Sequence, residues 1–112
     1  MNAFIHGLCL ACALGMALPA NAAIKVLATT SDWGSLVTEL GGDKLNVYTA
    51  TSPLQDVHRV DAKPSLVARA RSADLIVATG AELESGWLPV LLQESGNSKI
   101  QPGAPGYFEI TS

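Results

Sequence analysis

Residues 74–80, DLIVATG, form a near-continuous apolar run opened by an acid and closed by a glycine. A strand without polar alternation is one covered on both faces, and such strands belong to parallel sheets. Parallel neighbours cannot be joined by a hairpin, so the chain around this run must supply crossovers, usually helices. It does so. AIKVLATT (23–30) is short, apolar and β-branched and reads as a buried strand, and KLNVYTATS (44–52), rich in Val, Tyr and Thr, reads as a second. Between them Ser31 is placed as an N-cap, with Asp32 in the first turn. Trp33, Leu36, Val37 and Leu40 recur at helical spacing, and Gly41-Gly42 closes the helix. Pro64 suits the first position of a further helix that carries Leu66, Val67 and Ala70 on one face. AELESGWLPVLLQES (81–95) reads as a third helix with Leu83, Trp87, Leu88, Leu91 and Leu92 inward, kinked or restarted at Pro89. The Gly/Pro-rich tail from Gly96 is mostly loop, with SKI and YFEI as short extended pieces. The order β-α-β-loop-α-β-α predicts an α/β fold: an open, mainly parallel sheet with helices on both faces.

Such sheets carry their binding groups on the loops beyond the carboxyl ends of the strands. Three segments meet that description: Thr29–Asp32, the loop SPLQDVHRVDAKPS (52–65), and Thr79–Glu84. The middle loop holds His58, flanked by Asp56 and Asp61. A histidine there can serve as a metal ligand, a general base or a bystander. Its place at the functional end of the sheet favours a role. So do the two nearby carboxylates, which suit the task of orienting an imidazole. Glu82 and Glu84 are placed at a helix start, where acids complement the dipole, and both tryptophans are placed in the core.

The amino-terminal segment narrows the chemistry. AFIHGLCLACALGMAL is apolar apart from His6, and ALPANA follows with small residues at Ala20 and Ala22. Residues 1–22 are therefore expected to be a cleaved signal peptide, leaving 23–112 as the mature domain; a short membrane anchor is the alternative. Cys9 and Cys12 both lie in this segment, and CLA is a poor approach to a lipid-bearing cysteine at Cys12. After cleavage no cysteine remains for a disulfide, a thiolate site or a nucleophile, and His58 is the sole histidine. With a net charge of −3 and no Lys/Arg cluster, nucleic acid is not an expected partner. Enzyme signatures are missing as well: no G-x-S-x-G elbow, no phosphate-binding G-x-x-x-x-G-K loop, and no G-x-G-x-x-G after the first strand.

From about Ile24 onward the sequence resembles the amino-terminal lobe of the metal-binding (cluster A-I) solute-binding proteins of ABC transporters. The resemblance is carried by an ordered set: a helix ending in ELGGD, a D-P-H-like loop, KPS opening a helix, then ADLIVATGAELE and WL. KIQPGAPGYFEIT is similar to the segment that follows in a zinc-binding branch. The resemblance implies one lobe of a two-lobe periplasmic protein that captures zinc, or alternatively manganese, for an ABC permease. It also implies that His58 is the first metal ligand. Val57 stands where the family usually has proline, which would fix φ there and restrict Asp56. The other ligands, two histidines and an acid, belong to a missing carboxy-terminal lobe, so the chain is expected to be a fragment or truncated product. The competing expectation is an exported α/β domain with no metal activity of its own because it is truncated. Either way, a domain this small buries only roughly 60–65% of its unfolded surface and is expected to be marginally stable.

Overall fold

The computed structural model describes residues 22–112. The expected signal segment and both cysteines lie, Ala22 apart, outside the described residues. Four strands, β1 (Ile24–Ala28), β2 (Leu45–Thr49), β3 (Leu75–Ala78) and β4 (Tyr107–Glu109), make one sheet in the order β2-β1-β3-β4. All three pairings are parallel, with Leu27 opposite both Tyr48 and Ile76, and Ile76 opposite Tyr107. Three helices connect them: α1 (Ser31–Gly41), α2 (Pro64–Ser72) and α3 (Leu88–Ser95). The expected α/β class is what the chain adopts.

Alternation along the strands sorts the two faces of the sheet. Leu27, Ile76 and Ala78 point to one face, where they form the core with Leu66 and Ala70 of α2, Leu88, Leu91 and Leu92 of α3, Trp87 and Ile100. Arg69 of α2 also lies over the Tyr48 ring there, 4.6 Å from its centroid. The other face carries Val26, Ala28 and Val77, with α1 against it. The approach of α1 is made by Gly34, its one buried residue, because a side chain at that position would run into Thr49. This corrects the expected inward face of α1. Leu36 is 44% exposed and Leu40 78% exposed, since the helix meets the sheet on its glycine. Its start also differs slightly. Thr30, in extended conformation, occupies the cap position, and Ser31 is already helical.

Segment 81–87 departs further from expectation, running as successive turns before α3 begins at Leu88 with Pro89 in its first turn. Gly80, Ala81 and Glu82 have φ of 83°, 52° and 67°, left-handed values that cannot continue a right-handed helix. In the tail, SKI forms a 3-10 turn (Ser98–Ile100), whereas YFE pairs as β4. The Asn97 side-chain amide donates to Ala70 O (3.0 Å) and Ala73 O (2.7 Å), fixing the end of α2 to the segment that follows α3.

Candidate functional site

At the centre of the sheet, β1 and β3 lie side by side and their outgoing connections leave toward opposite faces. The carboxyl edge at such a divergence is the usual place for ligands in open α/β sheets. The polar groups there are densely joined. The Thr29 hydroxyl donates to Glu84 Oε2, and Thr79 N and Gly80 N donate to the same carboxylate at 2.7 and 3.1 Å. Trp33 Nε1 donates to Thr79 Oγ1 (2.7 Å), and Thr51 Oγ1 donates to Thr29 O (2.7 Å). Glu84 is only 3% exposed. A buried carboxylate is tolerated when its oxygens are fully used, and here three donors use them. Sequence reasoning placed Glu84 at a helix start. The structure makes it the clasp between the ends of β1 and β3. The signal for this is faint: the Thr79-Gly80 pair whose amides face an acid four or five residues on.

The His58 loop follows β2 and is exposed from Ser52 to Asp56. Its shape comes from short-range bonds, Gln55 N to Ser52 O (3.1 Å) and Arg59 N to Asp56 O (3.1 Å). Asp56 Oδ1 receives both the His58 amide (3.0 Å) and His58 Nδ1 (2.9 Å). The amide bond, reinforced by the ring, holds the Asp56 carboxyl below the ordinary carboxylate range. A carboxylate only accepts, so Nδ1 carries the proton, and in the neutral ring the lone pair sits on Nε2. Some 64% of the His58 side chain is open to solvent. Asp61 behaves differently. Its carbonyl accepts from Lys63 N (2.8 Å), but among the described residues its carboxylate makes no hydrogen bond and does not reach His58. The structure brings Asp56 to the imidazole and leaves Asp61 apart.

Two contacts seat this loop on the turns after β3. Trp87 Nε1 donates to Val57 O at 2.6 Å, and a Cβ added to Gly86 would come within 3.1 Å of His58 O. A cavity of about 490 Å³ is lined by Gly80, Glu84, Leu88, Leu92 and Tyr107, among others, and His58 is not part of its wall. Burial, with help from Glu109, pushes the Tyr107 hydroxyl well above its usual pKa. No group of three or more His, Cys, Asp or Glu side chains able to hold a metal occurs among the described residues. What the edge offers is one imidazole nitrogen, oriented by a carboxylate and open to solvent.

An all-parallel open sheet whose carboxyl edge presents such groups is the architecture of one lobe of an α/β solute-binding protein. The chain belongs to the ZnuA family, described as zinc-uptake complex component A, periplasmic, whose model matches residues 26–106. The family is one of transport binding proteins and not of enzymes. Among relatives, the metal ABC transporter substrate-binding lipoprotein FimA of Streptococcus parasanguinis is 30% identical over 96 residues, covering 83% of this chain and 31% of that protein. The manganese ABC transporter substrate-binding lipoprotein PsaA of Streptococcus pneumoniae is 29% identical over 91 residues, covering 79% of this chain and 28% of that protein. The iron ABC transporter substrate-binding lipoprotein MtsA of Streptococcus pyogenes is 28% identical over the same share of each. The chain thus spans less than a third of the length of these relatives.

Proposed function

We propose that this chain is the amino-terminal metal-binding lobe of an exported solute-binding protein that captures a divalent metal ion and hands it to an ABC permease. His58 supplies the lobe's ligand through Nε2, and Asp56 fixes the ring. The observation that carries this reading is the division of labour on the imidazole: Nδ1 is committed to Asp56 at 2.9 Å while the ring stays exposed beyond the end of β2. Metal-bound histidines commonly use one nitrogen for the ion and donate the other to a carboxylate. A tight site for a transition metal uses about four ligands, at least three of them from protein. The remaining arms therefore come from a second lobe.

Zinc is the cargo we favour, with manganese as the alternative. An imidazole ligand suits zinc, and the family description names it, whereas named relatives carry manganese or iron. Export through a signal peptide cleaved after Ala22 completes the reading and leaves the lobe periplasmic. The named relatives are lipoproteins, and mass spectrometry of the mature amino terminus separates cleavage at Ala22 from lipid attachment at Cys12.

Zinc titration of the 15N-labelled chain, followed at the ring nitrogens, tests the ligand assignment. Zinc is expected to move the Nε2 resonance of His58, to leave Nδ1 protonated, and to lose this response in His58→Ala. Zinc binding that bypasses the His58 ring removes the residue from the site.

A further inference from the structure

Residues 52–60 contain no helix or strand, and their hydrogen bonds to one another close only local turns. Among the described residues a single hydrogen bond reaches this stretch from elsewhere in the fold: the indole N–H of Trp87 to Val57 O, 2.6 Å, at the residue before His58. Trp87 is itself 4% exposed and belongs to the core. Its backbone is tied to Glu84, whose carbonyl accepts from Trp87 N (3.2 Å) and Leu88 N (2.9 Å). Glu84 in turn is bonded to the ends of β1 and β3. A continuous path of hydrogen bonds therefore runs from the two central strands through Glu84 and Trp87 to the backbone beside His58. Gly86 completes the seat: a Cβ there would meet His58 O at 3.1 Å, close enough that the loop would have to give by a few tenths of an ångström.

We propose that Trp87 is a positioning residue for the His58 loop: an indole latch, anchored by Glu84, that fixes where the imidazole stands above the sheet edge. The inference rests on the reading of His58 as a ligand. A lone imidazole gains little from being held still, whereas one that must meet ligands from another lobe needs a fixed position. Aromatic bulk alone does not provide the latch. Phenylalanine fills most of the same space but lacks the N–H that Val57 O accepts.

The test uses the 112-residue chain without metal and the variant Trp87→Phe. Amide exchange at His58 and Arg59 is expected to quicken about fivefold, the loss of roughly one hydrogen bond. The His58 ring nitrogens are expected to lose their bias toward the Nδ1–H tautomer. Ile100→Val, a core change in the 3-10 turn after α3 that leaves the indole N–H in place, is expected to lower overall stability while leaving the ring spectrum and the His58 and Arg59 exchange as in the parent. Gly86→Ala, which presses on His58 O while keeping the indole, is expected to shift the same loop resonances should Trp87→Phe fail to fold. An unchanged loop in Trp87→Phe, or equal loosening in Ile100→Val, overturns the latch. The metal reading fails separately, by a His58 Nε2 that ignores zinc, and the exchange data judge the latch whichever way that titration falls.

Discussion

Two carboxylates clamp the same pair of central strands at opposite ends, and they do so in different media. At the amino edge, Asp74 accepts from Lys25 N (2.9 Å) and from Lys99 Nζ (3.1 Å), with 37% of its side chain exposed. At the carboxyl edge, Glu84 binds Thr29, Thr79 and Gly80 and is almost wholly buried. Water can replace the partners of Asp74, so its clamp contributes modestly. Water cannot readily reach the partners of Glu84, and removing the carboxylate strands several donors in the interior. The difference teaches where this domain concentrates its rigidity. The stiff edge is the one that carries the loop with His58.

The largest break in this comparison comes from Glu84→Ala. It is expected to lower the unfolding free energy by about 2–4 kcal/mol, through orphaned donors at Thr29, Thr79 and Gly80. Urea denaturation measures it, and a loss below that of Asp74→Asn would invert the ranking of the two clamps. Asp74→Asn comes next, at no more than about 1 kcal/mol near neutral pH, because its ion pair is solvated. Its pH signature is more telling than its size. The bond from Lys25 N, then that from Lys99, holds the Asp74 carboxyl below its ordinary value. A depressed pKa supplies stability above the unfolded-state value, roughly 3.9. That stability drains away as pH falls through the folded value. The parent chain should therefore lose stability below about pH 4, and Asp74→Asn should flatten that limb of a denaturation-against-pH profile. Parallel acid limbs would remove Asp74 from the account. The smallest effect is expected at the tip of the His58 loop. Leu54 is fully exposed, so Leu54→Ser should change the melting free energy by less than about 0.5 kcal/mol. A larger loss would show that the tip packs against something.

The framework was legible because its signals are local. The apolar run of β3, the β-branched β1 and β2, and Pro64 opening α2 each announce their element within a few residues. The same holds for Asp56 beside His58, two positions apart. Segment 81–87 reads as helix because Leu83 and Trp87 sit at helical spacing, a signal that carries no trace of the positive φ of Ala81 and Glu82. Nothing near Glu84 in the chain shows that Thr29, 55 residues earlier, will donate to it. Leu36 and Leu40 mimic a buried face, yet a single glycine decides which side of α1 touches the sheet. Long-range contacts settle the last two cases, and periodicity does not report them. Asp61 makes the complementary point: proximity in sequence to His58 did not bring its carboxylate to the ring.

The strand order has a kinetic consequence. Ile24 must find Leu45, Val26 must find Leu75, and Ile76 must find Tyr107, each across at least one intervening helix. No pair of neighbours can zip up from a tight turn, so collapse has to precede pairing and the chain assembles slowly.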